Sequence, residues 1–128
     1  MQALERILYA EDEADIQQIA SLALEVVGGF TLKTCNSGVE ALAEIESFEP
    51  QLLLFDVMMP DLDGPGALAI IRDLDAFKAT PAIFMTAKVQ PEEVQRYLAM
   101  GAIDVIAKPF DPMTLASQIQ TIWEGTQS

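Results

Sequence analysis

The hydrophobic pattern of this chain changes period repeatedly, and each change marks an element. Ile7-Leu8-Tyr9-Ala10 is a short apolar run ending in Glu11-Asp12, and it reads as a buried strand. Ile16, Ile19, Ala20, Ala23, Leu24 and Val27 then recur at helical spacing. That helix can start near Asp15 and stops at Gly28-Gly29, a C-terminal glycine signal. Phe30 to Cys35 is a second strand, followed by Asn36-Ser37-Gly38, a loop that supplies caps. Val39, Leu42, Ile45 and Phe48 define the next helical stripe, and Pro50 stops it. Leu52-Leu53-Leu54-Phe55 is apolar on both faces, so it reads as a central strand, and it runs into Asp56.

The stretch from Met58 to Gly66 is rich in breakers and reads as a long loop, with Leu68, Ile71 and Leu74 predicting a helix after it. Pro81 to Met85 is a fourth strand ending at Thr86. Pro91 fits the first position of a helix over Glu92 to Met100, which Gly101 ends. Ile103 to Ala107 is a fifth strand ending at Lys108-Pro109. Met113 to Glu124 is the last helix, with Leu115, Ile119 and Ile122 on one side, and Gly125 to Ser128 reads as a loose tail. Strands and helices alternate five times with short connections. This predicts an α/β domain over residues 1–124, with a parallel sheet covered by helices on both faces. Right-handed crossovers restrict the topology to a few options.

Composition narrows the function. The 128 residues fit a single domain that needs no covalent or metal staple to fold. There is no histidine and one cysteine, Cys35, so His-based catalysis, a disulfide framework and a Cys-based zinc site are excluded. Twenty acidic residues against seven basic ones give a net charge of 7 − 20 = −13. That balance excludes direct binding to nucleic-acid phosphates, keeps the surface soluble and can steer basic partners. No apolar stretch approaches a membrane span and no signal segment appears, so a cytoplasmic location is expected.

In a sheet of this kind the ligand site lies outside the carboxyl ends of the strands. Four of the five strands end there in polar residues: Glu11 and Asp12, Asp56, Thr86, and Lys108. Three converging carboxylates repel one another, and Lys108 leaves the group of four side chains near −2. Oxygen-only ligands with that charge deficit suit a hard divalent ion such as Mg²⁺. A divalent cation beside a carboxylate suits phosphoryl chemistry, in which aspartate is a known acceptor. Taken singly, an Asp at a strand end is ordinarily a turn or cap, and Glu11-Asp12-Glu13 could be an acidic first turn. The constellation from four strand ends carries the functional reading.

These residues resemble the receiver domain of bacterial two-component response regulators. The resemblance runs from Arg6 to Trp123 and rests on Ile7-Leu8-Tyr9-Ala10-Glu11-Asp12-Glu13, on Asp56 to Gly64, on Met85-Thr86-Ala87 and on Lys108-Pro109-Phe110. It implies a flavodoxin-like doubly wound fold, five parallel strands in the order 2-1-3-4-5 with five helices. It also implies that Asp56 accepts a phosphoryl group from a sensor histidine kinase or histidine phosphotransfer protein. Asp12 and Asp56 would bind Mg²⁺, with Glu11 acting through water and the Met58 backbone carbonyl as a further ligand. Thr86 would turn its hydroxyl to the phosphoryl oxygen, and Lys108 would pair with Asp56 and then with the phosphoryl group. Lys108-Pro109 would be a cis peptide. Autodephosphorylation would be the only chemistry beyond phosphoryl uptake, and the output would pass to a downstream protein target that the sequence does not identify. The family also leaves room for a homodimer through the face of the last two helices.

One departure stands out. Many receivers carry Tyr or Phe three residues before the lysine, where this chain has Val105. An aromatic rotamer swap coupled to Thr86 is therefore unavailable. Tyr97 in the preceding helix is either an exposed contact or a packing residue. Met58 and Lys88 flank the acceptor and either slow water attack or are neutral loop residues. Cys35, Phe110 and Trp123 read as packing residues. Two rival readings remain: a phosphorylation-independent interaction module, supported by Val105, and a small Mg²⁺-dependent phosphohydrolase. Against the hydrolase, Met58 occupies the place of a second, general-acid Asp, and no substrate-capping insertion is visible.

Overall fold

The computed structural model describes residues 2–127, so Met1 and the last residue of the expected tail, Ser128, lie outside it. Five strands, β1 (Arg6–Ala10), β2 (Thr31–Cys35), β3 (Leu52–Asp56), β4 (Ala82–Thr86) and β5 (Asp104–Ala107), alternate with five helices. These are α1 (Ala14–Leu22), α2 (Gly38–Phe48), α3 (Gly64–Ile71), α4 (Pro91–Ala99) and α5 (Leu115–Thr126). All strand pairs are parallel, in the order β2-β1-β3-β4-β5. This is the doubly wound architecture that the alternating pattern predicts.

Period two sorts the strand side chains into two apolar clusters. Leu8, Ala10, Leu53, Phe55, Ala82 and Phe84 pack with residues of α2, α3 and α4. Ile7, Tyr9, Leu52, Leu54, Ile83, Met85 and Ile106 pack with residues of α1 and α5. β3 and β4 are buried along their whole length, as expected of central strands covered on both faces.

Apart from one-residue shifts at the ends of β2, β4, β5 and α4, the structure departs from the sequence reading at three places. α1 ends at Leu22, and Ala23–Val27 form a π-helical turn in which the Gly28 N–H donates to the Ala23 carbonyl at 3.0 Å. Gly28 sits so close to α5 that a Cβ there would lie 2.8 Å from the Ala116 Cβ. α3 starts at Gly64, inside the stretch expected to be loop, and ends before Leu74, with a short 3₁₀ turn over Asp75–Phe77 after it. Pro65 fits the first helical turn, and the Asp63 carboxylate caps it by accepting from the Gly66 N–H at 2.7 Å. α5 begins at Leu115 rather than Met113 and continues through Gly125 to Thr126. Among the described residues no helix is long and apolar enough to cross a membrane.

Candidate functional site

β1 and β3 are adjacent, so their carboxyl ends bring Glu11 and Asp56 side by side. Strand parity points both toward the α1/α5 side of the sheet, because Tyr9 and Leu54, two residues back, belong to that cluster. Lys108 follows Ile106 on the same side and closes the group. Its ammonium donates to Asp56 Oδ1 at 2.8 Å and to Glu11 Oε1 at 3.2 Å. All three side chains are largely buried, while Asp12 beside them is exposed. Carboxylate oxygens of Glu11, Asp12 and Asp56 come within 4.8 Å of one another, and the three could hold a metal ion.

The electrostatics match that crowding. Burial, and then the charge of Asp56, push the Glu11 carboxyl up from the ordinary 4.5 to about 7. The Glu13 N–H, donating to Glu11 Oε2 at 3.2 Å, and Lys108 pull it back only in part. Burial alone would depress the Lys108 ammonium. Its hydrogen bond to Asp56 and the two carboxylate charges outweigh that and hold it above its usual value. With all three carboxylates ionised, one ammonium leaves about −2, and Lys108 already serves two of them. A divalent cation with oxygen ligands fits this donor set.

Thr86 ends β4 beside this group but faces the α2–α4 side, in line with Phe84. It is buried, and its Oγ1 accepts from the Lys88 N–H at 3.0 Å. The loop of residues 87–90 that follows is exposed throughout. The Lys108-Pro109 peptide is cis, as the resemblance implies. The Met58 side chain is 67% exposed at the rim of the site. Glu11, Asp12, Asp56, Thr86 and Lys108 thus share one edge of the sheet, with Thr86 on the opposite face from the charges.

Of the residues with two readings, Tyr97 packs. It is buried and meets Phe84 edge-on, with ring centroids 5.8 Å apart. Val105, partly buried, lies against the same cluster. Cys35 and Trp123 are buried, and Phe110 packs against the α1/α5 cluster.

Two supports of the site carry no sequence motif. Gln17 Nε2 donates to the Glu11 carbonyl and to Asn36 Oδ1, both at 2.9 Å, tying the loop after β1 to the loop after β2. A polar residue inside the α1 stripe was its only signal. Gly64 lies so near Asp56 that a Cβ there would be 2.5 Å from the Asp56 carbonyl oxygen. Only glycine allows α3 to start against the backbone of Asp56.

The chain is similar to known proteins in sequence and fold. The family model for the response regulator receiver domain matches residues 7–120. The transcription factor SKN7 of Saccharomyces cerevisiae is 36% identical over 104 residues, covering 81% of this chain and 16% of that protein. The probable transcriptional regulator ycf27 of Pyropia yezoensis is 35% identical over 118 residues, covering 92% of this chain and 47% of that protein. This chain therefore spans less than half the length of these curated relatives. Among solved structures, the chemotaxis response regulator CheY4 of Vibrio cholerae superposes with a TM-score of 0.86 at 30% identity, over 94% of this chain and 99% of that one. A family match over nearly the whole chain, a sheet of matching order and an acidic edge closed by one lysine agree, and the chain belongs to the response regulator receiver domains.

Proposed function

We propose that this domain is a phosphoryl-accepting switch of a two-component phosphorelay, with Asp56 as the acceptor. The observation that carries the reading is the placement of Asp56, buried between Glu11 and Lys108 at the end of the central strand, with Asp12 beside it. The donor is a phosphohistidine on a sensor histidine kinase or a histidine phosphotransfer protein, and the exchange takes place in the cytoplasm. An Asp56 carboxylate oxygen attacks phosphorus, the phosphorus–nitrogen bond breaks, and the imidazole leaves with its electron pair. Glu11, Asp12, Asp56 and the Met58 carbonyl would hold Mg²⁺, which neutralises phosphoryl charge when bound. Lys108 keeps a positive charge on the acceptor and passes to a phosphoryl oxygen once the aspartyl phosphate forms.

Phosphorylation adds about −1.5 to −2 charge and new acceptor oxygens. The Thr86 hydroxyl, bonded only locally through Lys88, can turn to one of them. This contact exists in one state and not in the other, which is the requirement for a switch. Water later hydrolyses the acyl phosphate, and that is the domain's only turnover.

The second reading, a docking module indifferent to phosphorylation, is favoured by Val105 alone. One experiment separates the two. The chain is incubated with acetyl phosphate and Mg²⁺ and followed by intact mass. The switch predicts one phosphoryl group, absent in Asp56→Asn and in the presence of a chelator. No uptake by the folded wild-type chain would leave the docking module.

A further inference from the structure

Tyr9 is a group beside the site that phosphoryl transfer leaves unused. It lies in β1, fully buried, and its hydroxyl has no hydrogen-bond partner among the described residues. Buried hydroxyls are nearly always satisfied, by protein or by ordered water. Phenylalanine would fill the same space without a donor to satisfy, so the hydroxyl requires an account.

Its surroundings narrow the partner. Tyr9 and Glu11 are two residues apart on one strand and point to the same side of the sheet. Across the register Tyr9 pairs with Leu54, and Asp56 is the next residue on that face of β3. On the other flank Tyr9 pairs with Thr34, whose hydroxyl is engaged with Ser21 Oγ at 3.3 Å. A phenol is a neutral donor at working pH, and the carboxylates of Glu11 and Asp56 on the same face attract its proton.

Glu11 can accept more. Oε1 takes Lys108 and Oε2 takes the Glu13 N–H, and each carboxylate oxygen accommodates two bonds. Side chains two apart on a strand start about 6.6 Å from one another. That is long for a direct bond between side chains rising in parallel, and within reach of a single bridging water.

We propose that Tyr9 is a positioning residue of the acidic site: its hydroxyl donates through one buried water to the Glu11 carboxylate and holds it for the cation. The proposal rests on Glu11 as part of a metal site. Tyr9 touches neither phosphoryl group nor metal, and acts through Glu11.

The test is Tyr9→Phe in the full chain, with Mg²⁺ affinity read by calorimetry and the fold by circular dichroism. The expected result is a Kd raised on the order of 10-fold, as for other residues that orient a metal ligand. In a Glu11→Gln background, Tyr9→Phe leaves the residual Mg²⁺ affinity unchanged. An unchanged Kd in Tyr9→Phe, or the same loss with and without Glu11, overturns the proposal, because a packing role predicts one or the other. The second readout needs no metal. Proton NMR of the wild type should show a slowly exchanging Tyr9 hydroxyl proton with a cross-peak to water, shifted in Glu11→Gln. A hydroxyl proton without that cross-peak contradicts the bridge. A wild-type chain that takes no Mg²⁺ defeats the metal site and the role of Tyr9 in it, while the cross-peak still decides the bridge by itself.

Discussion

α3 and α4 cover the same side of the sheet and are held to it in different ways. α3 buries Gly64, Ala67, Leu68 and Ile71, starts against the Asp56 carbonyl and is capped by Asp63. α4 fully buries one residue, Tyr97, has no side-chain cap at its start and follows an exposed loop. The helix next to the acceptor is thus fixed, and the helix after Thr86 is loosely docked. Elements with few buried contacts open at lower free energy than the core. In the proposed switch, a new contact at Thr86 would therefore move α4 more readily than a new charge on Asp56 would move α3. On that reading capture belongs to one region and response to the other, with Thr86 between them.

The largest effect expected is on α3. Leu68→Ala removes a fully buried side chain from the shared cluster and should destabilise the whole domain by about 3 kcal/mol. Urea unfolding measures it, with all core amides losing protection together. Tyr97→Ala should act locally. Amides of residues 91–99 should exchange much faster while those of β1 and β3 hold, and the urea midpoint should fall less than in Leu68→Ala. Equal, global losses in the two variants would break the comparison.

Thr86→Ala sharpens it further. The acceptor half is untouched, so phosphoryl uptake from acetyl phosphate should change by less than about threefold, since the lost hydroxyl bonds the Lys88 N–H and the Thr86 carbonyl, which accepts from the Lys108 N–H at 2.9 Å, is kept. The chemical-shift response of α4 should disappear.

The smallest effect is a pH slope. The Glu11 carboxyl titrates at about 7 in the folded chain against an ordinary 4.5. A carboxyl raised in this way gives stability that is fully present below pH 4.5 and lost as pH rises through 7. Without metal, the wild-type melting temperature should therefore fall between pH 5 and pH 8 relative to Glu11→Gln. Mg²⁺ should reverse the fall, because binding to the folded state adds stability. Thermal scans at fixed ionic strength measure both.

The order of elements was legible because four of the five strands are apolar runs with a polar stop, and β2 is bracketed by Gly28-Gly29 and Asn36-Ser37-Gly38. Glu11, Asp12, Asp56, Thr86 and Lys108 were legible for the same reason, each following such a run directly. What stayed hidden depends on packing. Gly64-Pro65-Gly66 reads as a breaker cluster, yet it opens α3, since Asp63 caps the turn and the Asp56 backbone leaves no room for a side chain. Ala23, Leu24 and Val27 have the spacing of an α-helix, and the wider turn shows only in the bond from the Gly28 N–H to the Ala23 carbonyl, where Gly28 packs against α5. Tyr97 could be assigned to either role until its ring was placed against Phe84. Tyr9 looks like any strand aromatic, and its unpartnered hydroxyl is visible only in three dimensions.

The most direct test of the switch is amide NMR of the Mg²⁺-loaded chain before and after addition of beryllofluoride, a phosphoryl mimic. The account predicts shifts centred on Asp56, passing through Thr86 and the loop of residues 87–90 into α4, with α3 beyond its first turn nearly still. Shifts confined to the acceptor pocket, or no response in a folded chain that binds Mg²⁺, would contradict it.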